Sequence, residues 1–525
     1  MIDKRIEAQC GEAIKLNKDN CLQIIGDNSD TAFGKEYGFS DMKDVEDFRN
    51  KVPLAGYEEH KPYIRRMLLG EDNVLTKSDI IAYCHTSGTT GGCKLFPATA
   101  EAFDRCMDYP EAYQKTVVEK YGGKRLMVNT FRVIPGKKPQ LPVLVTEVYY
   151  KHMMEKGLLD IDSYVGGEKL LFDIKPGELN FAKVWAAFLE KDISIVECIY
   201  MYDALYFFSY MEKHWQCVID CIRKQIIPEE IRLSDSLKDY LLSIPVDIDR
   251  IDYVENECKA GFEGIGTRLW KNLRLISGIS NRAFSTEETA LERYVPKVHK
   301  YYLFYCSSEC HIGHPVVADD FGYVMIPSNA FYELLPYSEN DDITKTCLPH
   351  EAKIGEKYEV VCTTFSGLYR YRMGDIVQVR DFVGESPVME FVFRKGQYLN
   401  IAGEKTEVIQ LEKSISDMEE LGIHVEEYCF GESIESIPGR YLVALVIGKD
   451  STKTDEEEIA DILDDIIRQR NFEYNDLRNM GNLSRIRVCM FDRESYKVFL
   501  SENGLGGGHN KPRHIAPRGF CERSF

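Results

Sequence analysis

The sequence predicts an α/β chain in two domains, with helices and short strands mixed through residues 1–394 and a small α+β unit over residues 395–525. Three observations carry this prediction. A chain of 525 residues is longer than one hydrophobic core usually serves. Its middle sets a long amphipathic helix against several short β-like runs. Past residue 395 the pattern changes to two strand runs enclosing one helix.

Taken in order, residues 41–49 read as a helix that Pro53 ends. Over residues 203–222, Leu205, Phe208, Met211, Trp215, Val218 and Ile222 recur at three- and four-residue spacing, which lines one face of a helix. Strand-like runs follow at Tyr301–Tyr305, Tyr358–Thr363, Ile376–Val379 and Phe391–Phe393. A domain boundary falls near Arg394–Gly396. Beyond it, Tyr441–Ile447 and Ile486–Phe491 read as strands. Between them a helix starts at Thr454, with Glu457 three residues on as a capping box, and buries Ile459, Ile462, Leu463, Ile466 and Ile467. Residues 504–513 form a glycine-rich loop carrying Lys511.

The charge balance, 65 Lys and Arg against 85 Asp and Glu for a net −20, argues against nucleic acid or an anionic membrane as partner. Sixteen cysteines are scattered without a CxxC pair, and no apolar run approaches a membrane span or a signal core. A cytoplasmic protein with reduced thiols is expected.

The chemistry concentrates in three segments. Thr86-Ser87-Gly88-Thr89-Thr90-Gly91-Gly92-Cys93-Lys94 packs hydroxyls and glycines behind a short apolar run. Glycines let backbone N–H groups approach phosphate oxygens, hydroxyls donate further hydrogen bonds, and the lysine adds charge. ATP is the expected ligand. The loop is not a Walker A element, because five positions after Gly88 stands Cys93, and no GxGxxG occurs. Tyr305-Cys306-Ser307-Ser308-Glu309 offers a ring to stack on a base, a hydroxyl for a phosphate and a carboxylate for Mg²⁺. In Thr363 through Asp375, the carboxylate of Asp375 suits two ribose hydroxyls.

Other patterns lead elsewhere. His311-Ile312-Gly313-His314 spells a signature of class I aminoacyl-tRNA synthetases, but it lies at mid-chain and no KMSKS partner follows. His214, Cys217 and Cys221 share a helix face and could ligate a metal, yet the stripe beside them is core. Neither GxSxG nor HExxH is present.

Together the segments resemble a known group. Thr86 through Lys94 is similar to the phosphate loop of the adenylate-forming superfamily of acyl-CoA synthetases, peptide-synthetase adenylation domains and luciferases. Val52-Pro53-Leu54 through Arg66, Tyr305 through Cys310 with Phe331 through Pro336, Thr363 through Asp375, and Tyr474 and Arg478 with Lys511-Pro512-Arg513 resemble the Gretchen Hagen family of acyl acid amido synthetases. The resemblance implies a large N-terminal adenylate-forming domain with a β-barrel-like subdomain and a small mobile C-terminal domain. It also implies ATP and Mg²⁺ as cofactors. Thr86, Ser87, Gly88, Thr89, Thr90 and Gly91 would hold the phosphates, Tyr305 would stack on adenine and Ser308 would meet the α-phosphate. Glu309 would ligate Mg²⁺, Asp375 would bind ribose, and Lys511 would be the catalytic lysine. The plant members carry one more residue between the loop glycines and their lysine, which leaves Lys94 a supporting charge.

The expected function is therefore adenylation of a small carboxylic acid, then transfer of the acyl group to an amine, an amino acid by family pattern, by a monomer. An acyl-CoA ligase shares the first step. An adenylation domain serving a carrier protein would need a carrier-like module, and none follows. A nucleotide-binding regulator without turnover is the non-enzymatic alternative.

Overall fold

The computed structural model describes residues 2–85, 94–130, 145–174, 178–280, 285–338, 345–395, 398–448, 450–502 and 515–516. Helices and sheets are mixed throughout, as the sequence predicts. A hairpin of β1 (Ile80–His85) and β2 (Leu95–Thr99) brackets the glycine-rich segment. Four strands then form a parallel sheet in chain order: β3 (Lys124–Met127), β4 (Ile193–Tyr200), β5 (Leu275–Ile279) and β6 (His299–Tyr302). Strands β3 and β5 and most of β4 are buried continuously rather than alternately, because helices cover both faces of such a sheet.

The next seven strands build one antiparallel sheet. They are β7 (Tyr305–Cys306), β8 (His311–Pro315), β9 (Tyr323–Met325), β10 (Ala330–Pro336), β11 (Lys357–Thr364), β12 (Tyr371–Val383) and β13 (Ser386–Arg394). Their order is β10-β11-β12-β13-β9-β8-β7, an open sheet with β10 and β7 at its ends. The Tyr301–Tyr305 run is two strands rather than one. Strand β6 stops at Tyr302 and β7 starts at Tyr305 in the other sheet, so residues 303–304 carry the chain between sheets.

Two further strands, β14 (Tyr398–Leu399) and β15 (Thr406–Glu407), lead into a three-stranded sheet. There β16 (Val425–Ser433) pairs antiparallel with β17 (Arg440–Ile447), which runs parallel to β18 (Arg487–Met490). Helices Val408–Glu420, Glu456–Arg470 and Phe472–Met480 accompany these strands. The middle helix is capped one residue later than expected: Asp455, not Thr454, accepts the N–H of Glu458 at 2.9 Å, because its carboxylate is the stronger acceptor. The early helix likewise runs over Val45–Lys51 rather than 41–49. Asp44 caps it through the N–H of Asp47, and residues 39–41 form a separate 3₁₀ turn.

The long helix is Met201–Lys224, and Leu205, Phe208, Met211, Val218 and Ile222 are buried along it as the spacing predicts. Its first nine residues are buried on every side, because the C-terminal part of the chain rests on them. Tyr202 donates its hydroxyl proton to the carbonyl of Asn482 (3.0 Å) and accepts the N–H of Gly439 (2.7 Å). Beside it, Gly403 has φ +103° and lies so close to Tyr200 that a Cβ would sit 2.1 Å from the ring. Only glycine fits that approach. A second such turn joins β12 to β13. Gly384 (φ +57°) would place a Cβ 2.7 Å from the Cys10 carbonyl, while Glu385 donates its N–H to that carbonyl at 2.8 Å.

Helix Leu179–Leu189 carries a lysine inside the core. Lys183 is 1% exposed and its ammonium has no hydrogen-bond partner, so burial pushes its pKa down to about 7. The folded chain then binds fewer protons than the unfolded one between pH 7 and the ordinary lysine range, and stability rises with pH across that window. Replacing Lys183 with Met is expected to stabilise the protein at pH 7 by about 3–5 kcal/mol and to flatten this part of the profile. Urea unfolding of both proteins at pH 7 and pH 9 measures it.

Candidate active site

Three of the predicted residues converge where the two large sheets meet. Leaving the parallel sheet at β6, the chain enters β7 and places Tyr305 under β12. There the tyrosine donates its hydroxyl proton to Asp375 Oδ2 at 2.8 Å. The ring of Tyr305 packs between Tyr323, which is tilted to it, and Phe391, which meets it edge-on, each centroid 6.1 Å away. A tight turn follows. Ser307 donates its N–H to the Cys310 carbonyl at 2.9 Å, and its hydroxyl accepts the N–H groups of Glu309 and Cys310 at 3.3 Å. That turn leaves Ser308 half-buried and folds the Glu309 carboxylate inward, its side chain 1% exposed.

Asp375 on β12 and Arg394 on β13 are register partners. The Arg394 guanidinium therefore lies between two carboxylates, 3.6 Å from Asp375 Oδ1 and 3.6 Å from Glu309 Oε1, and donates to the Met373 carbonyl at 3.1 Å. At 3.6 Å the carboxylates gain charge balance without a proper hydrogen bond. Both oxygens of Glu309 and Oδ1 of Asp375 are buried and lack a hydrogen bond of ordinary geometry. Arg394 and the Tyr371 hydroxyl compensate these oxygens in part, and the capacity that is left can accept from a ligand. Among the described residues no group of three or more metal-ligating side chains converges. One inward carboxylate with open oxygens fits Mg²⁺, which takes one or two protein carboxylates and completes its shell with phosphate oxygens and water. Asp375, with one oxygen already held by Tyr305, offers a ligand its Oδ1.

Lys94 stands at the base of the glycine-rich segment, one residue before the Leu95 that pairs with His85. Its ammonium lies 5.8 Å from the centre of the Tyr57 ring. Burial lowers its pKa, and the carboxylates of Glu407, Glu309 and Glu58 oppose that while Arg394 adds to it. Thr86, Ser87, Gly88, Thr89, Thr90 and Gly91 lie outside the described residues, as does Lys511.

The structure also brings in side chains that the sequence did not mark. Arg394 reads in the sequence as a boundary residue, and its position between two carboxylates follows from strand register alone. Lys405, just before β15, is surrounded by the charges of Arg394, Asp375, Glu473 and Glu309. Burial and then Arg394 pull its pKa below the ordinary lysine value. Glu407 faces Lys94 and Arg394, and burial raises its pKa. A lone lysine in Gly403-Glu404-Lys405-Thr406-Glu407 has no spacing that would announce it.

The fold is one shared with solved structures of an acyl-CoA ligase and an acyl acid amido synthetase. The structure superposes on a 2-hydroxyisobutyryl-CoA ligase with TM-score 0.53 over 99% of this chain and 90% of that one, at 12% identity. It superposes more closely on the GH3.15 acyl acid amido synthetase in complex with 2,4-DB, with TM-score 0.67 over 99% of this chain and 94% of that one, at 22% identity. The chain belongs to the GH3 (Gretchen Hagen) family: the family's N-terminal domain matches residues 2–300, its central domain 323–394 and its C-terminal domain 409–518. Among named relatives, an indole-3-acetic acid-amido synthetase GH3.6 of Arabidopsis thaliana is 27% identical over 457 residues, which span 80% of this chain and 74% of that protein. GH3.8 of Oryza sativa subsp. indica, another indole-3-acetic acid-amido synthetase, is 26% identical over 449 residues, 80% of this chain and 73% of the relative.

Truncating Arg394 would leave two buried carboxylates facing each other. Arg394→Met is expected to lower the unfolding free energy at pH 7 by about 3–5 kcal/mol, while Arg380→Met, a more exposed arginine on the same sheet, costs far less. Urea titrations of the two variants test this.

Proposed function

We propose that this chain is an ATP-dependent acyl acid amido synthetase. It adenylates a carboxylic acid with release of pyrophosphate, then passes the acyl group to an amine, an amino acid by family pattern, with release of AMP. The observation that carries the reading is the convergence of Tyr305, Glu309 and Asp375, whose buried carboxylates are held around Arg394, in a chain that the family models match nearly end to end.

A carboxylate resists attack by an amine because oxide would have to leave. Adenylation replaces oxide with AMP. In the first step the acid's oxygen attacks the α-phosphorus of ATP, and the bond between α- and β-phosphates breaks. Negative charge builds on the phosphoryl oxygens, so catalysis rests on positioning and on cations aimed at that charge. The loop residues Thr86, Ser87, Gly88, Thr89, Thr90 and Gly91 hold the phosphates, with Lys94 as a supporting charge at the loop's base. Ser308 meets the α-phosphate, Tyr305 stacks on adenine, and Asp375 Oδ1 takes a ribose hydroxyl. Glu309 holds Mg²⁺, which when bound neutralises charge on the phosphoryl oxygens. Lys511 is the catalytic lysine of this step.

In the second step the amine attacks the acyl carbon and AMP leaves. Lys511 is wanted only for the first step. We therefore assign residues 395–525 to a mobile domain that turns about the chain near Arg394 between half-reactions. Lys405 and Glu407 support this division, because both belong to that unit and stand among the charges of Asp375, Glu309 and Lys94. The partners are small molecules. We take the protein to be a cytoplasmic monomer; among the described residues every cysteine is a free thiol and no helix is long and apolar enough to cross a membrane.

The test is pyrophosphate release from ATP against a panel of carboxylic acids, followed by offering amino acids or coenzyme A. Amide formation is the expected outcome. Thioester formation alone would replace this reading with a ligase, and no release with any acid would leave a nucleotide-binding regulator. Lys511→Ala is expected to cut pyrophosphate release by about 100-fold or more and to spare amide formation from pre-made acyl-adenylate. Loss of both half-reactions would sink the assigned division of labour.

A further inference from the structure

The loop that joins β14 to β15 is built around a single carboxylate. Glu404 is 0% exposed. Its Oε1 accepts the N–H of Ile401 and its Oε2 the N–H of Ala402, both at 2.8 Å, and Oε1 also accepts the Tyr441 hydroxyl proton at 2.8 Å. Asn400 Oδ1 takes the next N–H, that of Gly403, at 2.9 Å. Two side chains of the loop thus satisfy its own successive backbone donors, which fixes the path of the chain up to residue 405. Burial pushes the Glu404 pKa up to about 8, with Glu432 adding to the shift and the three donors opposing it. The neutral acid keeps all of these bonds, because its hydroxyl oxygen still has a lone pair for Ala402.

The loop is fastened on two sides. Behind it, the Tyr441 hydroxyl also meets Thr406 Oγ1 at 2.8 Å, and Asn471 Nδ2 donates to that same Thr406 oxygen at 2.8 Å. The Tyr441 ring stacks on Tyr474 with centroids 5.0 Å apart. Tyr474 in turn donates its hydroxyl proton to Asp464 Oδ1 at 2.6 Å, and Arg478 donates to this oxygen at 3.0 Å. Tyr474 and Arg478, marked by the sequence but given no task by the proposed chemistry, therefore stand behind the loop. In front, Gly403 lies against the ring of Tyr200, where helix Met201–Lys224 begins. From Asn400 to Thr406 every residue is buried except Lys405, which is half-buried and stands among the charges of Arg394, Asp375, Glu473 and Glu309.

We propose that Glu404 is a positioning residue of the amide-forming step, holding the backbone that presents Lys405 to the site. The inference rests on the two-step reading above and goes beyond it by giving the second step a loop of its own. In that step the amine nitrogen bonds to the acyl carbon, and the bond from that carbon to the AMP oxygen breaks with its electron pair on AMP. The amine's proton passes to water. AMP then carries one more negative charge, and an ammonium fixed beside it favours its departure. Lys511 is assigned to the first step, so the second draws its cation from elsewhere in the same unit. A lysine has a long flexible stem, and it serves such a role only when its backbone is held. Glu404 holds it from the adjacent position. A glutamine there could not, because its amide NH₂ would face the N–H of Ala402 or of Ile401.

The test is a double-variant cycle on the full chain. Wild type, Glu404→Gln, Lys405→Met and the double variant are each given acetyl-, benzoyl- and indole-3-acetyl-adenylate with mixed amino acids, and amide is measured. The pyrophosphate burst from ATP and the matching acids is measured separately. Each single variant is expected to slow amide formation by about tenfold or more, in kcat rather than KM, and to leave the burst within about threefold. The double variant is expected to be no slower than Lys405→Met alone, since Glu404 acts only through the lysine. Tyr441→Phe keeps the ring and gives up one bond to the carboxylate. It is expected to repeat the pattern more weakly, and its own cycle with Lys405→Met decides the case if Glu404→Gln does not fold. Losses that add in the double variant overturn the proposal, as does a burst that falls as far as amide formation. In the wild type, amide formation without a burst keeps the loop assignment testable by the same cycle and removes the adenylation reading. A burst without amide from any adenylate does the reverse, and neither activity overturns both.

Discussion

The arrangement of the site depends on one half-buried cation. Arg394 separates Asp375 from Glu309, two carboxylates that could not share a dry space without it, and the three side chains come from β13, β12 and the turn after β7. The other candidate residues are referred to this point. Tyr305 is oriented by Asp375, Lys94 and Lys405 feel the arginine as a neighbouring charge, and Glu407 is drawn to it. A guanidinium suits this post because it stays charged when buried and spreads its charge over a plane. The 3.6 Å separations matter as much as the pairing, since tighter bonds would have consumed the carboxylate oxygens that remain open.

The two large sheets contribute differently. The parallel sheet is a largely buried platform that carries the Arg125–Glu197 ion pair across its first two strands, and its fourth strand hands the chain on to Tyr305. The antiparallel sheet brings distant segments into register, so that residues far apart in sequence meet by strand pairing rather than by loop placement. Positions fixed by strand register vary less than positions fixed by loops, which suits a constellation of opposed charges. The C-terminal unit adds charge rather than framework to the site, through Lys405 and Glu407.

Much of this was legible in the sequence and some was not, for physical reasons. The stripe from Leu205 to Ile222 announced its helix because one face is core and the other solvent. The strands at Lys124–Met127, Ile193–Tyr200 and Leu275–Ile279 carry no alternation, since nearly all of their residues are buried, and a short apolar run of that kind reads equally well as buried helix. Tyr301–Tyr305 read as one strand because a crossing between sheets leaves no mark in composition. Tyr305, Glu309 and Asp375 were readable as candidates because their residue types match a chemistry, and the fold brings the three together. Arg394 and Lys405 act through where the fold places them, and Glu404 stands out only once the hydrogen bonds it accepts are known.

The ribbon of β12 and β13 has a further consequence. Its turn, Gly384–Glu385, is clamped against the carbonyl of Cys10 at one end of the ribbon, and Asp375 faces Arg394 at the other. The ribbon is in effect a ruler whose zero mark is set at the N-terminal helices. A one-residue insertion or deletion in that turn, harmless in most surface loops, would shift the scale by one division and turn the arginine away from its carboxylates. Gene-length variation within this family should therefore collect in other loops and leave this distant turn at constant length.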